Sequence, residues 1–337
     1  MEVGESTPEL ERAAHVAMAE FALPLADVEL IFVSENLTFR AVERRSGDAY
    51  VLRLHRPGYH DLSELTSEHQ WLRALAEAGI SIPTPIATPT GEGFVPIRIG
   101  GTGGEVRYAS VSRWADGEIV SSVLRRRPDP ALEQHYFAQL GAAMAAMHNQ
   151  ATSWEPPAGF YRKRLDIDGL LGDDPYWGRF WEYHALTAHE QQTMLRARDE
   201  IIEVLREYGC QASTFSMIHA DMSPDNLVVD GDRVTVIDFD DAAFGWHLYD
   251  IATALHGCSS PVVGPAEVAF LDGYRSVRPI GDDDLALLPM FRLIQGMALL
   301  GWKGQRPEVD WEPGRLDRLR RDVLALSATF EAAALLS

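Results

Sequence analysis

Cysteine is nearly missing from this chain: Cys210 and Cys258 are the only two among 337 residues. That excludes a disulfide framework and a structural zinc site, and it suits a reducing cytoplasm. Positive charge is also scarce, with 30 Lys and Arg against 50 Asp and Glu, a formal net charge of −20. A surface this acidic repels nucleic acid and anionic membranes and would attract a cationic substrate, although acidity also serves solubility alone. Long apolar runs are lacking. The most apolar late stretch, Leu285 to Trp302, is interrupted by Arg292, Gln295 and two glycines, so no membrane span is expected. The opening Met1-Glu2-Val3-Gly4-Glu5-Ser6 has neither a basic start nor an apolar segment, and no signal peptide is expected. Internal repeats and low-complexity tracts are absent as well.

What is present divides near residue 115 into two regions, expected to be lobes at 1–115 and 116–337. In the first, residues 7–22 read as a helix. Val28 to Val33, Thr38 to Glu43 and Ala49 to Leu54 read as strands, being rich in Val, Ile, Phe and Tyr. A helix follows over 63–78, closed by Gly79, and two more strands are expected near 94–98 and 105–113. The second region is mostly helical. Phe137, Leu140, Met144 and Met147 fall on one face of a helix ending at His148, and another helix spans about 187–208. Residues 154–182, rich in Pro, Gly, Trp and Tyr, read as an irregular insert.

The chemistry concentrates between Met217 and Asp250. An apolar run delivers Ile218-His219-Ala220-Asp221, and Asn226 lies five residues after that Asp. Two β runs then flank Asp230-Gly231, a strong hairpin signal, and the second is followed by Asp238-Phe239-Asp240-Asp241. A hairpin brings its outer ends together. Asn226 at the start and Asp238 at the end therefore converge, with Asp221 in the loop just before. Three hard oxygen donors suit Mg²⁺ carried by phosphate oxygens, and they suit phosphoryl transfer, in which one carboxylate orients the attacking hydroxyl. In the first region Arg53 is a lone cation on an apolar strand. Glu68 sits in a helical stripe with Leu65, Leu72 and Leu75. A carboxylate in an apolar stripe needs a cation, and Arg53 is the candidate.

His-x-Asp-(x)₄-Asn followed by Ile237-Asp238-Phe239 resembles the core of the aminoglycoside phosphotransferase and choline kinase family, over about residues 25–330. Arg53-Leu54-His55-Arg56-Pro57 and Ser67-Glu68-His69-Gln70-Trp71-Leu72 are closest to its bacterial homoserine-kinase-like and stress-response-kinase-like branch. The resemblance implies an α+β, bilobal, protein-kinase-like fold. The small N-lobe would carry an antiparallel sheet plus a helix and bind nucleotide, and the larger, mostly helical C-lobe would hold the catalytic groups and substrate. It implies ATP and Mg²⁺, with Asp221 as catalytic base and Asn226 and Asp238 as metal ligands. His219 and Asp250 would support the catalytic loop. Arg53 and Glu68 would form the ion pair that positions ATP phosphates, with Arg standing where kinases usually carry Lys. Ser34 and Asn36 occupy the phosphate-covering loop, without its Gly-x-Gly-x-x-Gly pattern. Ser112 and Trp114 occupy the hinge segment whose backbone meets adenine. His148 is also a hallmark of the family, and its own sequence position reads as a helix C-terminal histidine favoured by the helix dipole. The expected acceptor is a small-molecule hydroxyl, on an amino alcohol or hydroxy amino acid. The alternatives are a stress-response-type Ser/Thr protein kinase and a catalytically silent nucleotide-binding module, which Arg53 alone supports.

Overall fold

A computed structural model describes residues 7–33, 36–100, 103–256, 264–309, 311 and 313–331. The chain forms two compact units, and neither is continuous in sequence. Unit 1 takes residues up to Glu118 together with Trp154–Arg162 and Val228–Ile237, and unit 2 takes the rest.

Unit 1 begins with α1 (Thr7–Glu20) and three strands, β1 (Ala26–Val33), β2 (Leu37–Glu43) and β3 (Ala49–Leu54). It continues through α2 (Leu62–Glu77), β4 (Pro85–Ile86), β5 (Val95–Arg98) and β6 (Val106–Arg113). The sheet runs β1-β2-β3-β6-β4, with β5 also on β6, and every pairing is antiparallel. Period-two alternation sends Phe39, Ala41, Leu52 and Leu54 into one core with Ala14, Ala17 and Met18 of α1. Arg53, between Leu52 and Leu54, therefore lies on the opposite face, opposite Thr38 and Ser110 in the register. On that face His55 meets Ser110 Oγ at 2.8 Å and the ring of Phe94, which in turn packs on His69 of α2. So α2 rests on the face that carries Arg53. Asp61 starts α2 with a capping box closed by Glu64.

Beyond β6 come β7 (Glu118–Ile119), α3 (Val120–Arg126), α4 (Pro130–Ser153), β8 (Arg164–Leu165), α5 (Ile167–Leu171) and α6 (Ala188–Tyr208). Then follow β9 (Phe215–Ile218), β10 (Leu227–Asp230), β11 (Arg233–Val236), β12 (Ala243–Trp246) and α7 (His247–Ala254). Four helices close the described chain: α8 (Pro265–Val277), α9 (Asp282–Ala286), α10 (Leu288–Gln305) and α11 (Arg315–Thr329). Among the described residues no helix is long and apolar enough to cross a membrane.

In unit 2 the helices α4 and α8 touch backbone to backbone. A β-carbon on Gly141 of α4 would stand 2.1 Å from the Phe270 carbonyl oxygen, and one on Gly273 of α8 would stand 2.0 Å from that of Ala138. Glycine inside a helix costs about 1 kcal/mol against alanine, so close approach is what these two positions gain. Gly141→Ala or Gly273→Ala is expected to push the helices apart and lower stability by about 1–3 kcal/mol, the usual scale of overpacking. A urea titration with an unchanged m-value checks it.

Candidate active site

The hairpin forms as the Asp-Gly turn requires, with Gly231 at φ +57° between β10 and β11. The outer ends fall slightly outside the strands. Asn226 closes a short 3₁₀ turn, Pro224–Asn226, rather than opening β10, and Asp238 lies two residues past Val236, where β11 ends. Asn226 nonetheless reaches Asp221. Its Nδ2 donates to the Asp221 carbonyl oxygen at 2.8 Å and to Asp221 Oδ2 at 2.9 Å. Both N–H groups of the amide are thus engaged, and the amide oxygen Oδ1 is the end that suits a cation.

Asp221 is exposed at its surface but otherwise stands deep among protein atoms. Loss of solvation raises its pKa well above the ordinary carboxylate range. The charges of Asp241 and then Asp238 push the same way, and the hydrogen bond from Asn226 opposes them. So Asp238 is electrostatically a neighbour of Asp221, and the three residues singled out in the sequence are gathered in unit 2. Asp241 joins them. Its signal was available as the last acid in Asp238-Phe239-Asp240-Asp241.

Two of these positions carry left-handed backbone: Ala220 at φ +64° and Asp238 at φ +65°. For a residue with a β-carbon this costs about 1–2 kcal/mol, and Asp tolerates it better than Ala. The clamp that holds Ala220 is Asp250, fully buried in the first turn of α7. Its Oδ1 accepts the Ala220 N–H at 2.8 Å and its Oδ2 accepts the His219 N–H at 3.1 Å. His219, also fully buried, accepts the Asp221 N–H at Nδ1 at 3.3 Å and packs its ring on Phe239.

His148 is not a dipole-favoured helix end. Helix α4 continues to Ser153, and His148 is completely buried. Its Nε2 lies 3.0 Å from Asp250 Oδ2 and its Nδ1 lies 2.8 Å from Tyr274 Oη. Burial, followed by the charge of Arg278, lowers its pKa to about 3. The neutral ring then donates from Nε2–H to Asp250 and accepts the Tyr274 hydroxyl at Nδ1. Its other face stacks on His247, whose Nε2 meets Ser216 Oγ at 2.8 Å. Nothing in the sequence paired His148 with Tyr274, which lies 126 positions away.

In unit 1 Glu68 is buried. One partner of its carboxylate is Arg162, which had no sequence signal: Nη1 lies 3.4 Å from Glu68 Oε2. Arg53 is half-buried and contributes to holding down the pKa of His69, behind burial, His55 and Arg73. Asn36 Oδ1 accepts the Arg56 N–H at 3.0 Å. Trp114 lies under the Arg40 guanidinium and donates its N–H to Ala49, so that donor is spent in the sheet. Ser112 is paired with Val51 and Pro85. Ser34 lies outside the described residues, and so does Cys258.

The donor set fits a phosphate-bound dication. Among the described residues no group of three or more His, Cys, Asp or Glu is arranged to hold a metal. An amide oxygen plus one carboxylate is the smaller set that Mg²⁺ needs when phosphates and water complete its octahedron. The repulsion of Asp221 by Asp241 and Asp238 is what a dication would relieve.

His148 also sets a pH dependence. Between 6.5 and about 3 the unfolded chain binds a proton that the folded ring refuses. Its stabilising contribution is therefore complete above pH 6.5 and is lost as pH falls toward 3, by about 1.4 kcal/mol per pH unit. His69 (about 3) and His256 (about 4) act in the same direction. Urea midpoints are expected to fall steadily from pH 6.5 to 4.5. His148→Gln should be less stable at pH 7 but show a slope shallower by about one proton.

Known proteins resemble nearly the whole chain. Residues 29–283 match the phosphotransferase enzyme family. Amicoumacin kinase of Bacillus subtilis (strain 168) is 22% identical over 329 residues, covering 93% of this chain and 91% of that protein. Homoserine kinase of Sinorhizobium medicae (strain WSM419) is 32% identical over 67% of this chain, and the match spans 62% of that kinase, less than two thirds of its length. Among solved structures, a microcompartment-associated aminopropanol kinase superposes with a TM-score of 0.77 at 30% identity, covering 96% of this chain and 97% of the other. The amicoumacin kinase hAmiN, solved with AMP-PNP, Ca²⁺ and Ami, gives 0.73 at 20% identity over 98% and 100% of the two chains. The fold is thus the α+β, protein-kinase-like one, and the chain belongs to the phosphotransferase enzyme family as a small-molecule kinase.

Proposed function

We propose that this protein transfers the γ-phosphoryl group of ATP, with Mg²⁺, to the hydroxyl of an amine-bearing small molecule, an amino alcohol or hydroxy amino acid. The observation that carries this is Asp221, held by Asn226 at 2.9 Å on a loop whose strained backbone is pinned by Asp250. In this reading Asp221 orients the acceptor hydroxyl and takes its proton. The loop pinned by Asp250 fixes the direction of its carboxylate. Asn226 Oδ1 and Asp238 hold the metal, whose charge offsets that of the phosphates. His219 and Asp250 keep the loop in register. Arg53 and Glu68 of the N-terminal region, with Asn36, Ser34, Ser112 and Trp114, receive the nucleotide. Amine-bearing acceptors are favoured by the net charge of −20 and by the substrates that name the relatives: aminopropanol, homoserine and amicoumacin.

Asp221→Ala is expected to fold as the parent does and to lose turnover by about 10²–10⁴-fold, and Asp238→Ala should lose Mg-dependent nucleotide binding as well. ADP formation across a panel of amino alcohols, hydroxy amino acids and aminoglycosides reads this out. Undiminished turnover in Asp221→Ala removes the assigned base. Nucleotide binding with no turnover over the whole panel favours a silent nucleotide-binding module instead.

A further inference from the structure

Trp154–Arg162 is flanked in sequence on both sides by segments of unit 2, yet it belongs to unit 1. It has a defined shape of its own: Trp154 stands edge-on to Phe160 with centroids 5.0 Å apart, and the Phe160 N–H reaches the Pro157 carbonyl. It meets α2 through polar atoms. The Tyr161 N–H donates to Ser67 Oγ at 2.8 Å, and that hydroxyl donates to the Ser63 carbonyl. Arg162, only 3% exposed, sends Nη1 to the Glu64 carbonyl at 3.2 Å and to Glu68 Oε2 at 3.4 Å. This contact explains why α2 buries a polar face, with Glu64, Ser67 and Glu68 all enclosed.

A guanidinium this deeply enclosed is costly unless it is fully engaged, and two of its contacts fall on α2 one turn apart. We propose that Arg162 is a positioning residue for the nucleotide: by engaging Glu68 Oε2 it fixes the rotation of α2 and leaves the other carboxylate oxygen to steady Arg53. This rests on the reading above in which Arg53 and Glu68 serve the ATP phosphates. Because Arg53 is a fork and not a point charge, its direction matters more than that of a lysine. The segment that supplies Arg162 connects α4 to β8 in the chain, and through Glu68 it ties the grip on phosphate to residues 154–162.

The test is equilibrium binding of the ATP analogue AMP-PNP with Mg²⁺ to the full chain, with urea stability measured alongside. Arg162→Lys keeps the charge and loses the fork. Its affinity for AMP-PNP should fall roughly tenfold, the scale for residues one step removed from a ligand-holding group. The KM for acceptor and the pH profile of kcat should stay those of the parent. Glu68→Gln should weaken AMP-PNP comparably, and adding Arg162→Met to Glu68→Gln should weaken it no further. If Arg162→Lys loses stability but binds AMP-PNP as the parent does, Arg162 is only a clamp and the proposal fails. If Glu68→Gln also leaves AMP-PNP binding unchanged, the role of Glu68 at the phosphates fails with it. A loss shared equally by AMP-PNP and acceptor overturns the proposal too.

Discussion

One buried carboxylate, that of Asp250, holds the order of the site. It accepts hydrogen bonds from two consecutive backbone N–H groups and from His148, the number a carboxylate with no access to water needs. Burial raises its pKa, while His219 and the two backbone N–H groups pull it down. Those N–H groups belong to His219 and Ala220, so the loop that delivers Asp221 is fastened from within. Ala220 would leave the left-handed region if released, because nothing local favours it there. The clamp in turn depends on distant packing. The approach of α4 to α8 through Gly141 and Gly273 accompanies the contact of Tyr274 with the remaining ring nitrogen of His148.

The protein thereby maintains an arrangement that is unfavourable on its own. Asp221 is held with reduced solvation against the charges of Asp241 and Asp238, and Ala220 and Asp238 carry strained backbone. A chain selected only for stability would scatter these charges. Holding them together is useful when a multivalent cation and its phosphates arrive, since attraction is then gained without first assembling the ligands. The rigid histidine and carboxylate packing beneath the loop is the counterpart of that tension. His148 and His247, kept neutral by burial, supply directed hydrogen bonds without adding charge next to the carboxylates.

Much of the architecture was readable from local pattern. Each of the first three strands lies within two residues of its expected position, because alternation and Asp-Gly or Ser-Gly turns are short-range signals. The closing of α2 at Gly79 and the start of α6 at Thr187 follow from capping chemistry. The hairpin logic brought Asn226, Asp221 and Asp238 together, although both hairpin ends sit just off the strands. What escaped is long-range. Tyr274 is 126 positions from His148, and Arg162 is 94 from Glu68. No periodicity encodes such partners. The helix carrying His148 was expected to stop there, which made a dipole explanation natural, and one more turn of helix converts the residue from an end cap into a core hydrogen-bonding group.

The uneven legibility has a physical origin. A phosphoryl-transfer centre needs few groups at fixed separations along one hairpin and its preceding loop, so its requirements are written in adjacent residues. Recognition of an acceptor, and the steadying of a phosphate grip, are met by side chains that need only arrive at the right place, from whatever element passes nearby. Residues 154–162 make the point. In sequence they open an aromatic, proline-rich insert, yet in the fold they belong with α2. A buried Arg is tolerable there because α2 offers a carboxylate and a carbonyl oxygen one turn apart, and Arg162 is one of the partners that make Glu68 tolerable in an apolar stripe. Each offsets the burial of the other, and the one-dimensional pattern, which offered Arg53 as the cation for Glu68, carried no sign of Arg162 beside it.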